Sequence, residues 1–381
     1  MHRVTLVFIL FLLIPDLYIY LVYVVRKTRK TFLRSLYWLP TLLLAAGYVY
    51  FMFLTGDNAM SNHTQAIGRL AITIMLFVFP KTIFMLCSLM GVLAHFIIRR
   101  CPRSPFTAIG LVLAVVSFFN ILYGTLAGIT RFDTKEVEYH SANIPEGFDG
   151  YRIVQISDIH IGSWQGNPEP IKQLVDLVNG DLVNQQSHEL DGFQEILSQL
   201  YAPDGVYSIL GNHDYGSYYH WQSPKAEIAN LDYLIRQQKA MGWKLLNNEH
   251  DILHHKGDSI ALIGVENDGE PPFSQFADLP QAMQGTEGMF QILLSHNPTH
   301  WRREVLPQSD ISLMLAGHTH AMQGILFGHS LAELIYPEWR GMYYEGKRAL
   351  YVNIGIGYVG LPFRFGAWPE ITVLKLVREK E

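Results

Sequence analysis

The sequence predicts two structural classes in one chain, an all-α membrane unit over residues 1–130 followed by a mixed α/β sandwich over residues 131–381. Four apolar runs of membrane-spanning length open the chain, and strand-like runs interleaved with helical patterns fill the remainder. The charge also changes sign between the two parts. Residues 1–130 hold 11 Lys+Arg and 2 Asp+Glu, a net +9, whereas residues 131–381 hold 18 and 32, a net -14. With 49% hydrophobic and 17% charged residues over 381 positions, a disordered or collagen-like chain is excluded. The second part has no basic excess on the scale that nucleic-acid binding needs, so no nucleic-acid partner is expected. Cys87 and Cys101 both lie in the first part, which leaves the second without a disulfide or thiolate metal site.

The apolar runs cover roughly residues 4–25, 36–54, 70–98 and 106–129, each near the ~20 residues a helix needs to cross hydrocarbon. Buried core helices are a poor alternative, because all charges but Asp16 and Lys81 lie outside the runs. A cleavable signal peptide is another, because the first run continues through Tyr18, Tyr20 and Tyr23 with no small-residue cleavage site. Arg26, Lys27, Arg29, Lys30 and Arg34 join the first two runs, and Arg99, Arg100 and Arg103 join the last two. By the positive-inside rule those loops face the cytoplasm, so the N-terminus and everything after residue 130 fall on the outer face. In a bacterium this describes a multi-pass protein of the inner or plasma membrane whose second unit is outside the cytoplasm. Asp16 and Lys81 interrupt the runs 12 and 11 residues from the outer ends of their helices. At ~1.5 Å rise per residue they share one depth, and pairing inside the bundle is predicted.

In the second part, strands are predicted at Tyr151–Ser157, Val206–Leu210, Ile260–Val265, Phe290–Ser295, Ile311–Ala316, Tyr351–Ile354 and Ile371–Leu376. Helices are predicted at Pro168–Val178, His188–Leu200 and Lys225–Met241. No internal repeat or low-complexity tract argues for a solenoid or propeller. Arg131–Gly150 reads as a short extended lead-in that keeps the second unit close to the membrane.

Four of the strand-like runs end in potential metal ligands: Asp158-Ile159-His160, Gly211-Asn212-His213-Asp214, Ser295-His296-Asn297-Pro298 and Gly317-His318-Thr319-His320. Gly180-Asp181 lies between the first two. Any one block alone is ordinary turn chemistry. Together, in order and each after an apolar strand, they predict a metal centre, because open α/β sheets bind ligands at the carboxyl ends of their strands. Residues at i and i+2 of an extended segment share a face, which would let Asp158 and His160 hold one ion. Carboxylate, imidazole and amide donors without thiolate suit Mn, Fe or Zn.

These blocks resemble the calcineurin-like metallophosphoesterases. The resemblance runs over residues 136–377, through Leu350-Tyr351-Val352-Asn353-Ile354-Gly355-Ile356-Gly357, Leu361-Pro362-Phe363-Arg364 and Pro369-Glu370-Ile371. That tail is similar to the membrane-attached branch, which includes phosphodiesterases of the YkuE and YaeI kind and the UDP-2,3-diacylglucosamine hydrolases of lipid A assembly. The resemblance implies a four-layer α/β/β/α domain behind a four-helix transmembrane unit. It also implies two divalent ions, manganese, iron or zinc, one held by Asp158, His160 and His320 and the other by Asn212, His296 and His318, with Asp181 bridging. His213 would be the acid beside the leaving group. Two such cations lower the pKa of a bridging water and clamp a phosphate through in-line displacement.

Two features depart from the family pattern. Only 23 steps separate Asp158 from Asp181, although a strand, crossover helix and parallel strand normally need about 30 residues. The apolar spacing at 171, 174, 175 and 178 favours a retained helix and loss of the second strand, which would leave neighbouring edges unpaired and could displace Asp181. The other departure is Ala321-Met322-Gln323 where the branch usually has Gly-Gly-Gln: Ala is expected to cost little, and Met to narrow the backbone's options.

Aromatic and aliphatic residues follow the blocks: Tyr215, Tyr218, Tyr219 and Trp221 after one, and Ile325, Leu326, Phe327, Leu331, Leu334, Ile335, Tyr336 and Trp339 after the last. They read either as loop packing or as an apolar wall for a lipid-bearing phosphate ester. The resulting expectation is a membrane-anchored two-metal phosphoesterase, a phosphodiesterase or pyrophosphohydrolase, using a metal-bound hydroxide on a lipid-linked substrate at the bilayer. The alternative is a pseudoenzyme impaired by the short segment before Asp181. An outward-facing domain would not readily meet a cytoplasmic UDP-linked lipid, so topology and the lipid A reading pull apart.

Overall fold

The computed structural model describes residues 2–54, 56, 58, 62–99, 102–164 and 178–380. The chain separates into two compact units: Met1–Ala127 together with Gly360–Phe363, and Gly128–Val359 together with Arg364–Glu381.

Every one of the four apolar runs is helical. His2–Ile19 continues through a wider turn, Tyr20–Val24, into Val25–Lys27, and Thr31–Val49 continues likewise into Tyr50–Leu54. Thr64–Ile97 and Ser104–Leu126 complete the unit. Among the described residues, three helical segments, Thr31–Phe53, Thr64–Ile97 and Ser104–Thr130, are long and apolar enough to cross a membrane. Leu12, Leu44, Ile74 and Val78 form the unit's buried apolar cluster. The predicted pair is present: Lys81 Nζ lies 2.6 Å from Asp16 Oδ1. Tyr37 OH donates to the same oxygen at 2.8 Å, and Thr41 Oγ1 donates to Asp16 Oδ2. Ser88 Oγ sits 2.8 Å from Tyr18 OH and 2.7 Å from Tyr23 OH.

The second unit contains β1 (Asp133–Ser141), β2 (Arg152–Ser157), β3 (Val178–Asn179), β4 (Tyr207–Ile209), β5 (Lys244–Leu245), β6 (Glu249–His255), β7 (Asp258–Gly264), β8 (Phe290–Leu294), β9 (Leu313–Ala316), β10 (Gly341–Glu345), β11 (Arg348–Val352) and β12 (Glu370–Arg378). They form two six-stranded sheets, in the orders β1-β12-β2-β3-β4-β5 and β10-β11-β9-β8-β7-β6. β2 to β5 run parallel, as do β7, β8, β9 and β11, which aims their carboxyl ends the same way within each sheet. One buried cluster joins side chains of both sheets, including Ile153, Ile209, Leu262, Ile292 and Leu374. A second packs Leu182, Leu210 and Trp243 with Leu234 of the helix Pro224–Ala240, and a third packs Ile263, Leu293 and Val352 with Trp301 and Val305. Alternating side chains of β7, β8 and β9 thus serve two apolar layers.

Three expectations need correction. Arg131–Gly150 is not merely a lead-in, because β1 pairs in parallel with β12 over nine residues. His188–Leu200 is not one helix but two short turns, Ser187–Leu190 and Gln194–Leu197, separated by Gly192 at φ 87°. The strand before Asp181 is not lost. Val178 and Asn179 pair with Ile156 and Ser157 on one side and with Ser208 and Ile209 on the other. Two residues suffice because both flanking strands would otherwise expose unpaired backbone groups in the middle of the sheet. The predicted helix from Pro168 lies outside the described residues up to 177.

Candidate metal centre

The ligand blocks follow strand ends directly. Asp158 follows β2, Asp181 stands two residues beyond β3 and Asn212 three beyond β4. His296 and His318 each stand two residues beyond β8 and β9. Parallel strands end where their backbone groups run out of partners, so these loops converge at one edge of the sheets. The expectation that Asp158 and His160 share the face of an extended segment is corrected: their φ angles are 52° and 46°, left-handed turns rather than strand. They meet because the loop folds back, with Asp158 N donating to Gly180 O at 3.2 Å and His160 N to Asp181 O at 3.1 Å. Asp181 itself has φ 48°. Two glycines make room: a Cβ on Gly211 would collide with Asp181 Oδ1, and one on Gly180 with the His296 ring.

All seven residues of the expected ligand set come together. Potential ligand atoms of Asp158, His160 and His320 lie within 4.8 Å of one another, as do those of Asp181, His296 and His318. Asn212 Oδ1 is 2.9 Å from His318 Nδ1, on the side of the second group. Asp181 reaches both groups, with Oδ2 3.1 Å from His296 Nε2 and 3.7 Å from His160 Nε2. His213 joins His160 and Asp181 in a third such group. Its N–H donates to Asp181 Oδ1 at 2.8 Å, and its Nδ1 lies 2.6 Å from Asn184 O, so the ring can only donate there.

The electrostatics are those of a buried charge cluster. Burial opposes ionisation of Asp158, but the imidazoles of His320 and His296 outweigh it and hold the carboxyl well below its usual range. Asp181 is likewise held down by His296 and His213 against burial. Burial lowers His296, yet Asp181 and Asp158 push it up to about 9. Burial and His296 together bring His318 down to about 3. Asp214 is raised to about 7 by burial and by Asp181, although Gly211 N and Val183 N donate to it.

The donor set fits divalent cations on a second ground. His296 Nδ1, His296 Nε2 and His160 Nδ1 are buried without a hydrogen-bond partner. His296 Nε2 is near Asp181 Oδ2 yet lacks a hydrogen bond's alignment. His160 Nε2 and His320 Nε2 face each other at 3.1 Å. Buried imidazole nitrogens without a partner inside such a cluster could serve a divalent cation.

Sequence reasoning found no group to orient the imidazoles, and the structure shows several. The guanidinium of Arg364, fully buried, donates to Gly357 O, Ala367 O and Ile354 O and to His320 Nδ1 at 3.0 Å. Burial lowers its pKa to about 10, which leaves it charged at neutral pH. Tyr336 OH lies 3.1 Å from His318 Nε2, and Asn212 Nδ2 donates to Tyr218 OH at 2.9 Å. Arg364 carried one signal in sequence, a lone cation between Phe363 and Phe365; Tyr218 and Tyr336 carried none beyond their place in the aromatic stretches.

Ala321 is also corrected. His320, Ala321, Met322 and Gln323 take φ of 49°, 47°, 45° and 60°, so Ala occupies a left-handed position where glycine would be free of strain. Thr319 offsets part of this by accepting from Ala321 N and donating to Trp339 O.

Two family models match this chain. One, described as "Calcineurin-like phosphoesterase", covers residues 151–322; the other, described as "Probable Calcineurin-like phosphoesterase, transmembrane domain", covers residues 2–129. The chain is 31% identical over 272 residues to the "Uncharacterized metallophosphoesterase YkuE" of Bacillus subtilis (strain 168), covering 64% of this chain and 85% of that one. It is 28% identical over 357 residues to an "Uncharacterized metallophosphoesterase" of Helicobacter pylori (strain J99), covering 89% of both. It is 31% identical over 291 residues to a "Transmembrane protein with metallophosphoesterase domain" of Danio rerio, covering 71% of this chain. The match spans 62% of that zebrafish relative's length. The transmembrane model and the apolar helices make this chain a membrane protein.

Proposed function

Because the chain belongs to the calcineurin-like metallophosphoesterases, we propose that it is a membrane-anchored two-metal phosphoesterase acting on phosphate ester or pyrophosphate bonds of a lipid-linked substrate. The observation that carries the reading is the convergence of Asp158, His160, Asp181, Asn212, His296, His318 and His320, with partnerless imidazole nitrogens among them. Asp158, His160 and His320 would hold one cation, Asn212, His296 and His318 the other, with Asp181 between them. Manganese, iron or zinc, when bound, supplies Lewis-acid activation of water and neutralises phosphate charge. His213, with Nδ1 fixed on Asn184 O, presents Nε2 as the proton donor for the leaving oxygen. Tyr336 OH would hold the ring of His318, and the guanidinium of Arg364 packs on the Nδ1 side of His320. We read the membrane unit as a four-helix one with the second unit on the outer face; the basic residues at 26–34 and 99–103 support that orientation. The retained strand β3 supports an intact centre over a pseudoenzyme, because Asp181 keeps its place.

Detergent-solubilised protein assayed with bis-p-nitrophenyl phosphate and added manganese, beside His318→Ala, tests the reading. Turnover lost in the variant and two ions per wild-type chain support it; no turnover with one ion or none refutes it in favour of the pseudoenzyme.

A further inference from the structure

Exposed apolar side chains are unevenly spread over the second unit. Among its described residues, six of the twelve large exposed apolar or tyrosine side chains lie between Met322 and Ile335. Phe327 is 93% exposed, Leu334 82% and Leu331 69%. Isolated exposed apolar residues need no explanation, but a contiguous run of them marks an interaction surface.

The backbone of this run is shaped to present them. Leu326 and His329 close a turn with reciprocal hydrogen bonds of 2.9 and 3.1 Å, and Phe327 sits at its tip with φ 53°. Ser330 and Glu333 cap the short turn Leu331–Leu334 reciprocally, and Ser330 Oγ donates to Ala321 O at 2.6 Å. Glu333 also pairs with His329 at 3.0 Å. Ala332 points inward, fully buried, while Leu331 and Leu334 point out. The polar groups named here are therefore paired within the segment, and the apolar ones are turned outward. That is the arrangement an interface poor in water requires.

The occupant follows from where the segment is anchored in the chain. The last apolar helical segment ends at Thr130 and β1 begins at Asp133, leaving two intervening residues with a reach of about 7 Å. Gly360–Phe363 group with the helical unit, and Phe365, two residues later, is bridged in parallel to Gly324. Ile325 N donates to Phe365 O at 2.8 Å, and Phe365 N donates to Gln323 O at 3.1 Å. The apolar segment thus pairs with chain that lies two residues beyond Phe363.

We propose that Leu326–Ile335 seats in the boundary between headgroups and acyl chains of the bilayer that carries the helices. The partner is a lipid surface. Because the same stretch leads into Tyr336, which touches His318, this contact brings the rim of the metal centre to the level of lipid phosphates. In that respect it deepens, and rests on, the reading of a lipid-linked substrate.

The test uses the full chain in nanodiscs of phosphatidylcholine and phosphatidylglycerol. In a Cys87→Ala, Cys101→Ala background, an environment-sensitive fluorophore is attached at Phe327→Cys, Leu334→Cys or, for reference, Ile228→Cys on the helix Pro224–Ala240. Lipid bearing a shallow nitroxide is expected to quench the first two at least threefold more than the third. Equal quenching at all three sites, or none at 327 and 334, overturns the proposal. So does blue-shifted but unquenched emission at 327, which a second copy of the chain covering the segment would give. Wild-type protein supplies a check without substitutions, since phosphatidylcholine carrying a shallow diazirine should label the 326–335 peptide and spare the one around Ile228. Both readouts are independent of turnover, so quenched probes on an inactive protein would defeat the enzymatic reading and leave the membrane contact standing.

Discussion

Asp16 and Asp158 are both carboxylates with almost no exposure, and they differ in what surrounds them. Around Asp16, Lys81 and Tyr37 occupy one oxygen and Thr41 the other. The charge is matched and the hydrogen bonds close on themselves, as a packing element inside a helical bundle requires. Around Asp158, a serine and the backbone N–H of His318 supply hydrogen bonds, but the neighbouring imidazoles of His160, His296 and His320 crowd in with nitrogens facing one another. One buried cluster is complete with its own residues; the other leaves imidazole nitrogens without a partner and could hold cations. The contrast separates a charge cluster closed by its own hydrogen bonds from one left open.

Removing a residue from each cluster should have different consequences. Substituting His318 by Ala in the incomplete cluster is expected to reduce turnover well beyond the roughly 100-fold ceiling of changes one layer outside a metal. Elemental analysis should show metal lost while the thermal midpoint of the metal-free protein moves little. In the complete cluster, Asp16→Asn leaves the Lys81 ammonium unmatched and is expected to cost about 3–5 kcal/mol. Thermal unfolding in detergent reads this loss, and the double change Asp16→Leu with Lys81→Met should recover most of it. If Asp16→Asn instead abolished turnover in folded protein, the contrast would fail.

Arg364 probes the border between the two behaviours, since it completes three backbone carbonyls and also touches the His320 ring. Arg364→Met is expected to weaken metal affinity by about 10–100-fold, measured by metal titration. Arg364→Lys should not restore it, because an ammonium cannot span His320 and three carbonyls at once. Met322→Gly should have the smallest effect and the opposite sign. Relief of a left-handed φ of 45° is expected to stabilise the chain by about 1 kcal/mol, read as a raised thermal midpoint.

The membrane runs were legible because a bilayer imposes a length and an apolar composition on every helix that crosses it. The ligand blocks were legible for a related reason, since each sits within three residues of a strand end and strands announce themselves by composition. The pairing of Asp16 with Lys81 could be read from depth alone. What failed was short or borrowed structure. β3 has two residues and no periodicity to detect, and β1 is polar on its surface, with Lys135, Glu136, Glu138 and His140 exposed.

By itself, then, the sequence determined the two-part organisation, the membrane character and the identity of the seven clustered donors. The first two follow from local composition; the donors follow from short blocks of adjacent residues together with their resemblance to the calcineurin-like metallophosphoesterases. Only the tertiary structure decided that Asp181 stays in place, that Arg364 and Tyr336 reach the rings from 44 and 18 residues away, and that the residues after His320 adopt left-handed turns. Those outcomes depend on contacts between distant segments and on backbone groups that must find partners wherever the fold leaves them, and neither is written in any local pattern.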